Sequence, residues 1–344
     1  MQTTIKPILA GLLLSSATLF SNSAQAEGRL TVYCTVQTVV CEDMTKQFAE
    51  ANNVETQFVH GGTGTILGRI KAEKNNPQAD IWYGGTLEPH LQAGELGLLE
   101  KYRSPLQAET VDQFKHLIED KHGDYTSLVY ALVLGMGVNT EKLEKLGISA
   151  PQTWQDLLNP KLKGELQLPD PRSSGTAYTI MATLIQLWGE EKAFEFFKKL
   201  DSNVSQYVKS SLVTSNLSRG ESAVSVGFVH SYETEKEKGA KVEYVLPKDG
   251  AGYALGGVSI IKGARNLDNA KLFMDWVLSK EAQEIPWREH GVYQIPTNKF
   301  AEVAPQSVKL DEVNLVNIDF EHFGKSEEGK RLIDKWLHEV KLAK

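Results

Sequence analysis

The chain has 344 residues, 41% of them apolar, with 37 Lys and Arg against 44 Asp and Glu. That suits a globular protein of about two domains, and neither an internal repeat nor a low-complexity segment interrupts it. With a formal charge of -7 and no basic run, nucleic acid is excluded as a partner. An anionic ligand would be held by local donors, against the overall field.

Residues 1–26 stand apart. Lys6 gives a short positive start, and the apolar stretch from Ile8 to Phe20 is too short to span a bilayer. Ser23-Ala24-Gln25-Ala26 is a small-residue cleavage site. The pattern predicts a secretory signal peptide cut after Ala26, and an exported, monomeric mature protein starting at Glu27. No later segment is long and apolar enough to cross a membrane.

From residue 30 the chain alternates strand and helix. Residues 30–33 read as a strand. A loop at 34–38 follows, then a helix with Val40, Met44, Phe48 and Ala49 on its inner face. Residues 54–59 form the next strand. His60-Gly61-Gly62-Thr63-Gly64-Thr65 then leads into a helix carrying Ile66, Leu67 and Ile70. Residues 79–83 are a third strand, ended by Gly84-Gly85-Thr86, and another helix starts near Glu88. This is the pattern of a parallel sheet covered by helices. The glycine-rich turn lacks the Gly-Lys-Ser/Thr ending of a nucleotide loop. It remains a turn at a helix start with two hydroxyls, Thr63 and Thr65. In an oxidising compartment Cys34 and Cys41 are expected to pair and brace the first loop, with free thiols as the alternative. Two cysteines make no zinc site, and neither a metal nor another cofactor is expected.

The apolar run 128–138 is long for one buried strand and reads as a crossing between lobes. Thr153 caps a short helix. Residues 164–168 alternate as a strand, and Asp170-Pro171-Arg172-Ser173-Ser174-Gly175-Thr176-Ala177 is a turn. The helix beyond carries Tyr178, Met181, Leu184, Ile185 and Trp188 on one face. A helix start has unpaired N–H groups and partial positive charge. Small hydroxyl residues and a glycine let an oxyanion approach it. The plainer reading is that Ser173 or Ser174 only caps its own helix. Helices over 191–200, 211–219 and 230–238 follow, with strands at 223–228 and 242–246. Residues 253–261 read as the return crossing, and 267–285 and 326–342 as closing helices. The expected boundaries are 27–128 with 255–344 for one lobe, and 129–254 for the other.

Ligands of open parallel sheets sit beyond the carboxyl ends of the strands. The loops there, 34–38, 60–65, 84–88, 170–176, 209–211 and 228–233, are rich in Thr, Ser, Gly, Gln and His. Their joint placement predicts a binding cleft. Catalysis finds little support, since no Gly-x-Ser-x-Gly elbow, His-Glu-x-x-His or paired-carboxylate loop is present. His230 and Glu233, three apart on one helix, read better as hydrogen-bonding groups than as an acid–base pair.

At this point the chain resembles the periplasmic solute-binding proteins of ABC importers, in the ferric-ion-binding branch. The resemblance covers essentially the whole mature chain. It rests on Leu30-Thr31-Val32-Tyr33, Ala79-Asp80-Ile81-Trp82-Tyr83, Ser174-Gly175 at a helix start, and Tyr293-Gln294-Ile295-Pro296-Thr297-Asn298. It implies two α/β lobes (the type II arrangement), each a mostly parallel sheet flanked by helices, closing on a ligand. Where iron-binding members carry a histidine, a glutamate and two tyrosines, this chain matches Gln37, the neighbourhood of Gly85, and His230 with Ser231. A hard ferric ion wants anionic oxygen ligands, and those are missing. The Ser174-Gly175-Thr176 turn, similar to the anion site of that branch, is kept.

Within this branch the chain resembles the Afu-type hexose-phosphate-binding proteins. The shared runs are His60-Gly61-Gly62-Thr63-Gly64-Thr65, Leu168-Pro169-Asp170-Pro171-Arg172 and Val226-Gly227-Phe228-Val229-His230. Ser231 departs from the acidic residue expected there for sugar hydroxyls. The resemblance implies a phosphorylated sugar as ligand and an inner-membrane ABC permease as partner. The phosphate is expected on Ser173, Ser174, Gly175 and Thr176 from one lobe and Thr63, Gly64 and Thr65 from the other. Thr35, Gln37 and Ser210 assist. His230 and Glu233 are expected on the sugar, with Trp82 and Tyr83 either as a ring platform or as core. An organophosphonate is the second choice. A ferric-ion binder and a secreted phosphatase-like enzyme remain as other classes.

Overall fold

The structure is a computed structural model in which residues 28–342 are described. The leader expected over 1–26 lies outside the described residues. Strands β1 (Arg29–Cys34), β2 (Glu55–His60), β3 (Ile81–Tyr83) and β4 (Ser127–Asn139) come first. They are followed by β5 (Leu166–Pro169), β6 (Val204–Val208), β7 (Val224–Phe228), β8 (Val242–Val245), β9 (Tyr253–Ile260) and β10 (Ile295–Pro296). They form one sheet path in the order β2-β1-β3-β9-β4-β7-β5-β6, with β8 and β10 also pairing β4. Within it, β1 is parallel to β2 and β3, and β5 is parallel to β6 and β7. Helices cover both halves, giving the expected two-lobed α/β fold.

The two halves share β4. Its first part, Ser127 to Val133, pairs antiparallel with β9. Its second part pairs with β7 from Leu134 and with β8 from Met136. Every residue of β4 is buried, which is why it reads as an unbroken apolar run and not as an alternating strand. β9 pairs with β3 and the first part of β4, while its first residues, Tyr253 and Leu255, pack in the same core cluster as Met136 and Val226 of the second half. The 267–285 helix is also two helices, Leu267–Leu278 and Lys280–His290, divided at Ser279, which caps the second.

The closing helix Ser326–Trp336 lies between the two halves. Its apolar stripe, continued by Val340, brings Leu332 and Trp336 into a core cluster that holds Leu87 and Leu91 of the first half as well as Phe194, Phe197 and Val224 of the second. Trp336 meets Tyr207 of β6 edge-on at 5.0 Å. Arg331 and Lys335 both reach Glu190 at 2.6 Å. Its start packs on the first half, where the Ser326 N–H donates to Glu95 at 2.6 Å and Gly329 lies against Gln92, so residues 326–341 touch both halves. An amphipathic helix follows the apolar surface it can cover, and chain position does not determine which one that is. The Arg331 hydrogen bond, followed by that of Lys335, pulls the Glu190 carboxyl down to about 2. A depressed carboxylate stabilises above its unfolded value of about 4.3 and loses this as pH falls through the folded value. Wild type should exceed Glu190→Gln in urea midpoint near neutral pH, and the gap should close toward about pH 2. A gap unchanged at low pH would remove this pairing from the stability of the fold.

Candidate functional site

The six candidate loops all follow strands and all open helices. They leave β1, β2, β3, β5, β6 and β7 and enter the helices Thr38–Asn52, Thr63–Ala72, Leu87–Glu95, Gly175–Trp188, Ser210–Ser218 and Val229–Glu237. The ends of parallel strands and the starts of their helices therefore converge from both halves of the sheet.

Two glycines lie at the centre. A methyl built on Gly175 would collide with Thr86 Oγ1 and stand 2.9 Å from Thr63 Oγ1. One built on Gly85 would stand 2.6 Å from Thr63 Oγ1 and 2.7 Å from Thr35 Oγ1. Gly85 has φ +90°, which only glycine adopts freely. Thus the Thr63 and Thr86 hydroxyls stand at the first turn of the helix Gly175–Trp188, and Thr35 joins Thr63 at Gly85, so that three successive loops contribute one hydroxyl each. The loop 84–86 is pinned by Tyr130, whose hydroxyl accepts from the Gly85 N–H at 2.7 Å. The disulfide Cys34–Cys41, with Cα atoms 6.0 Å apart, closes the loop that carries Thr35 and Gln37.

Ser174 is the N-cap: its Oγ accepts from the Ala177 N–H at 3.1 Å. The capping reading is correct, and it does not exhaust the hydroxyl. Ser210 Oγ lies 2.5 Å away. With Ser210 donating to Ser174, the Ser174 hydrogen is free for an anion, because a hydroxyl has one donor and two acceptor positions. Ser173 contributes backbone contact: its carbonyl would lie 2.6 Å from a methyl on Gly62 and 3.3 Å from one on Gly64. Here the turn after β5 meets the turn after β2, so the halves touch. Thr65 is exposed and Thr176 half-buried, each in the first turn of its helix.

A second bridge joins the halves. Gln37 Nε2 and His230 Nε2 lie 3.0 Å apart. His230 is buried, and its Nδ1 has no hydrogen-bond partner. Burial pushes its pKa down to about 3, so the ring is neutral near pH 7. Glu233, one turn on, lines a small cavity with His230, Tyr244 and Tyr293. Burial raises its carboxyl, and Lys236 at 3.9 Å opposes that only weakly.

Trp82 and Tyr83 do not form a ring platform. Both are buried in β3, where Trp82 stacks on His90 at 3.7 Å and Tyr83 meets Phe273 edge-on at 6.0 Å. A strand flanked on both faces buries successive residues, so adjacency to a loop did not expose them. Two polar groups were missed as individual residues, although their loop was named. Thr86 Oγ1 and the Glu88 carboxyl are buried without a hydrogen-bond partner beside this cluster. A Gly-Gly-Thr run ending a strand was the available signal for Thr86; nothing local marks Glu88. Among the described residues, no group of three or more His, Cys, Asp and Glu side chains could hold a metal ion.

Comparison with known proteins agrees with this architecture. Residues 77–321 match the family described as bacterial extracellular solute-binding protein. A Haemophilus influenzae protein of uncharacterised function is 52% identical over 96% of each chain. The solved periplasmic binding protein P5PA is 72% identical, with a TM-score of 0.90 over 91% of this chain and 100% of that one. The periplasmic binding protein AfuA from Actinobacillus pleuropneumoniae, solved with exogenous fructose-6-phosphate bound, is 53% identical. Its TM-score is 0.89 over 92% of this chain and 99% of that one. With its converging strand ends and its family match over most of its length, the chain belongs to the bacterial extracellular solute-binding proteins.

Proposed function

We propose that this protein is the periplasmic substrate-binding component of an ABC importer, that it captures a phosphorylated sugar such as a hexose 6-phosphate, and that it delivers this ligand to a membrane permease. The observation that carries the reading is the cluster of Thr35, Thr63 and Thr86 hydroxyls around Gly85 and Gly175 at a helix start. Neutral hydroxyl and N–H donors at a helix N-terminus suit a tetrahedral oxyanion. A ferric ion needs anionic oxygens, and Gln37, Gly85, His230 and Ser231 supply none. A relative 53% identical was solved with a sugar phosphate. The phosphate is assigned to Ser173, Ser174, Gly175, Thr176, Thr63, Gly64 and Thr65, with Thr35, Thr86, Gln37 and Ser210 assisting. Gln37, His230 and Glu233 are assigned to the sugar hydroxyls. The role is capture without covalent chemistry.

Native mass spectrometry of the protein as purified identifies a retained ligand by mass. Titration of glucose 6-phosphate, fructose 6-phosphate, phenyl phosphate, 2-aminoethylphosphonate and ferric citrate then ranks the classes. Tightest binding of a hexose phosphate is expected. A preference for the phosphonate or the aryl phosphate would keep the anion site and overturn the sugar. Tight, coloured iron binding would overturn both. Ser174→Ala removes one charge-assisted donor of roughly 1.5–3 kcal/mol, so affinity should fall about tenfold or more. Unchanged affinity by calorimetry would remove Ser174 from the site.

A further inference from the structure

Glu88 is a fully buried carboxyl with neither oxygen hydrogen-bonded. It stands in the first turn of the helix Leu87–Glu95, two residues after Thr86. Thr86 is the N-cap of that helix by position, yet its side chain makes no capping bond. Its hydroxyl lies beside the Glu88 carboxyl, and on its other side it faces the Gly175 cradle. Both groups are buried without a hydrogen-bond partner, and an unsatisfied buried group is costly. An anion in the cradle would complete them.

We propose that Glu88 closes into the site as the neutral acid and is a positioning residue: its proton goes to Thr86 Oγ1, which turns the Thr86 hydrogen onto the bound anion. This rests on the reading of the cluster as a phosphate site. The polarity of the chain of hydrogen bonds decides the matter. A neutral carboxyl donates to Thr86 Oγ1 and leaves the Thr86 hydrogen for the ligand. An ionised carboxylate can only accept, so it takes the Thr86 hydrogen, presents lone pairs to the phosphate and adds a second negative charge nearby.

The surroundings favour the neutral form. The ionisable groups facing Glu88 are Tyr178 of the helix Gly175–Trp188 and Tyr253 of β9, both held protonated by burial. Glu328 and Arg331 of the last helix act on Tyr178. His90, on the same helix as Glu88, turns to Ser259 and to the Gly84 carbonyl. Burial raises the Glu88 carboxyl to about 7; its own backbone N–H and the Thr86 hydroxyl lie near enough to oppose this, though neither makes a hydrogen bond of good geometry with it. A carboxyl whose neutral form serves the bound anion supports binding at low pH and loses that support as pH rises through its raised value.

Isothermal titration of fructose 6-phosphate, or of the tightest phosphomonoester in the panel above, tests this on wild type, Glu88→Gln and Glu88→Leu between about pH 6 and about pH 9. Glu88→Gln keeps an N–H donor and carries no proton that titrates. The dissociation constant of wild type relative to Glu88→Gln should rise about tenfold across that range. Taking the ratio cancels the titration of the ligand phosphate, whose second pKa is near 6. Near pH 6, Glu88→Gln should bind within about threefold of wild type, while Glu88→Leu should bind roughly ten- to a hundredfold more weakly. Thermal unfolding of each variant separates a folding defect from a binding one. Parallel pH profiles for wild type and Glu88→Gln would overturn the role, as would a Glu88→Leu variant that binds like wild type. Failure of wild type to bind any phosphomonoester would overturn the phosphate reading, and the role of Glu88 with it.

Discussion

Gly175→Ala is expected to lower ligand affinity by more than a hundredfold while leaving the fold intact. Gly175 is the first residue of its helix and is absent from the positive-φ positions. Alanine therefore meets no backbone penalty there, and it is the better helix former by up to about 1 kcal/mol. The damage comes only from the methyl group. It would collide with Thr86 Oγ1 and stand 2.9 Å from Thr63 Oγ1, in the space that the anion is proposed to use. It would also hold the two halves apart at their point of contact. Losing two charge-assisted donors at roughly 1.5–3 kcal/mol each amounts to more than a hundredfold in affinity. Calorimetry reads the affinity, and a thermal melt close to that of wild type shows that the fold survives. A Gly175→Ala protein that binds within about tenfold of wild type would place the anion elsewhere.

The second large effect is the demand for the phosphate itself. Removing it from the ligand, with the sugar unchanged, should weaken binding by about a thousandfold or more. Ser174, Thr35, Thr63 and Thr86 are hydroxyl donors, the N–H groups of the helix start add more, and a neutral hydroxyl on the ligand satisfies few of them. Three charge-assisted bonds at the low end of roughly 1.5 kcal/mol each already exceed a thousandfold. The helix dipole adds about 0.5–1 kcal/mol for a charged group and little for a neutral one. Side-by-side titration of a hexose and its 6-phosphate measures the ratio. Equal affinities would leave Ser174 as a helix cap and nothing more.

The match between sequence and structure follows the range of the interactions involved. The helix start at Ser174-Gly175 was legible because capping, strand alternation and helical spacing act over a few residues. The disulfide was legible for the same reason, since Cys34 and Cys41 flank one loop. β4 stood out because a strand buried on both faces leaves a long apolar run. Trp82 and Tyr83 were ambiguous, because two aromatics beside a loop look alike whether they face a ligand or the core. Only the packing of His90 and Phe273 against them resolves it.

What the sequence determined by itself is therefore local: the strand-loop-helix units, the caps, and the small hydroxyl character of each loop. The tertiary structure alone decided which loops meet. It brought Thr86 to Gly175 across about ninety positions of chain and linked Gln37 to His230. It set the last helix against both halves, through Glu95 on one side and through Trp336 and Glu190 on the other. It also buried Glu88 with no partner, on a helix whose sequence gives no sign of it. The physical reason is that burial and pairing depend on surfaces contributed by distant segments, and a residue carries no local trace of the neighbour it will meet.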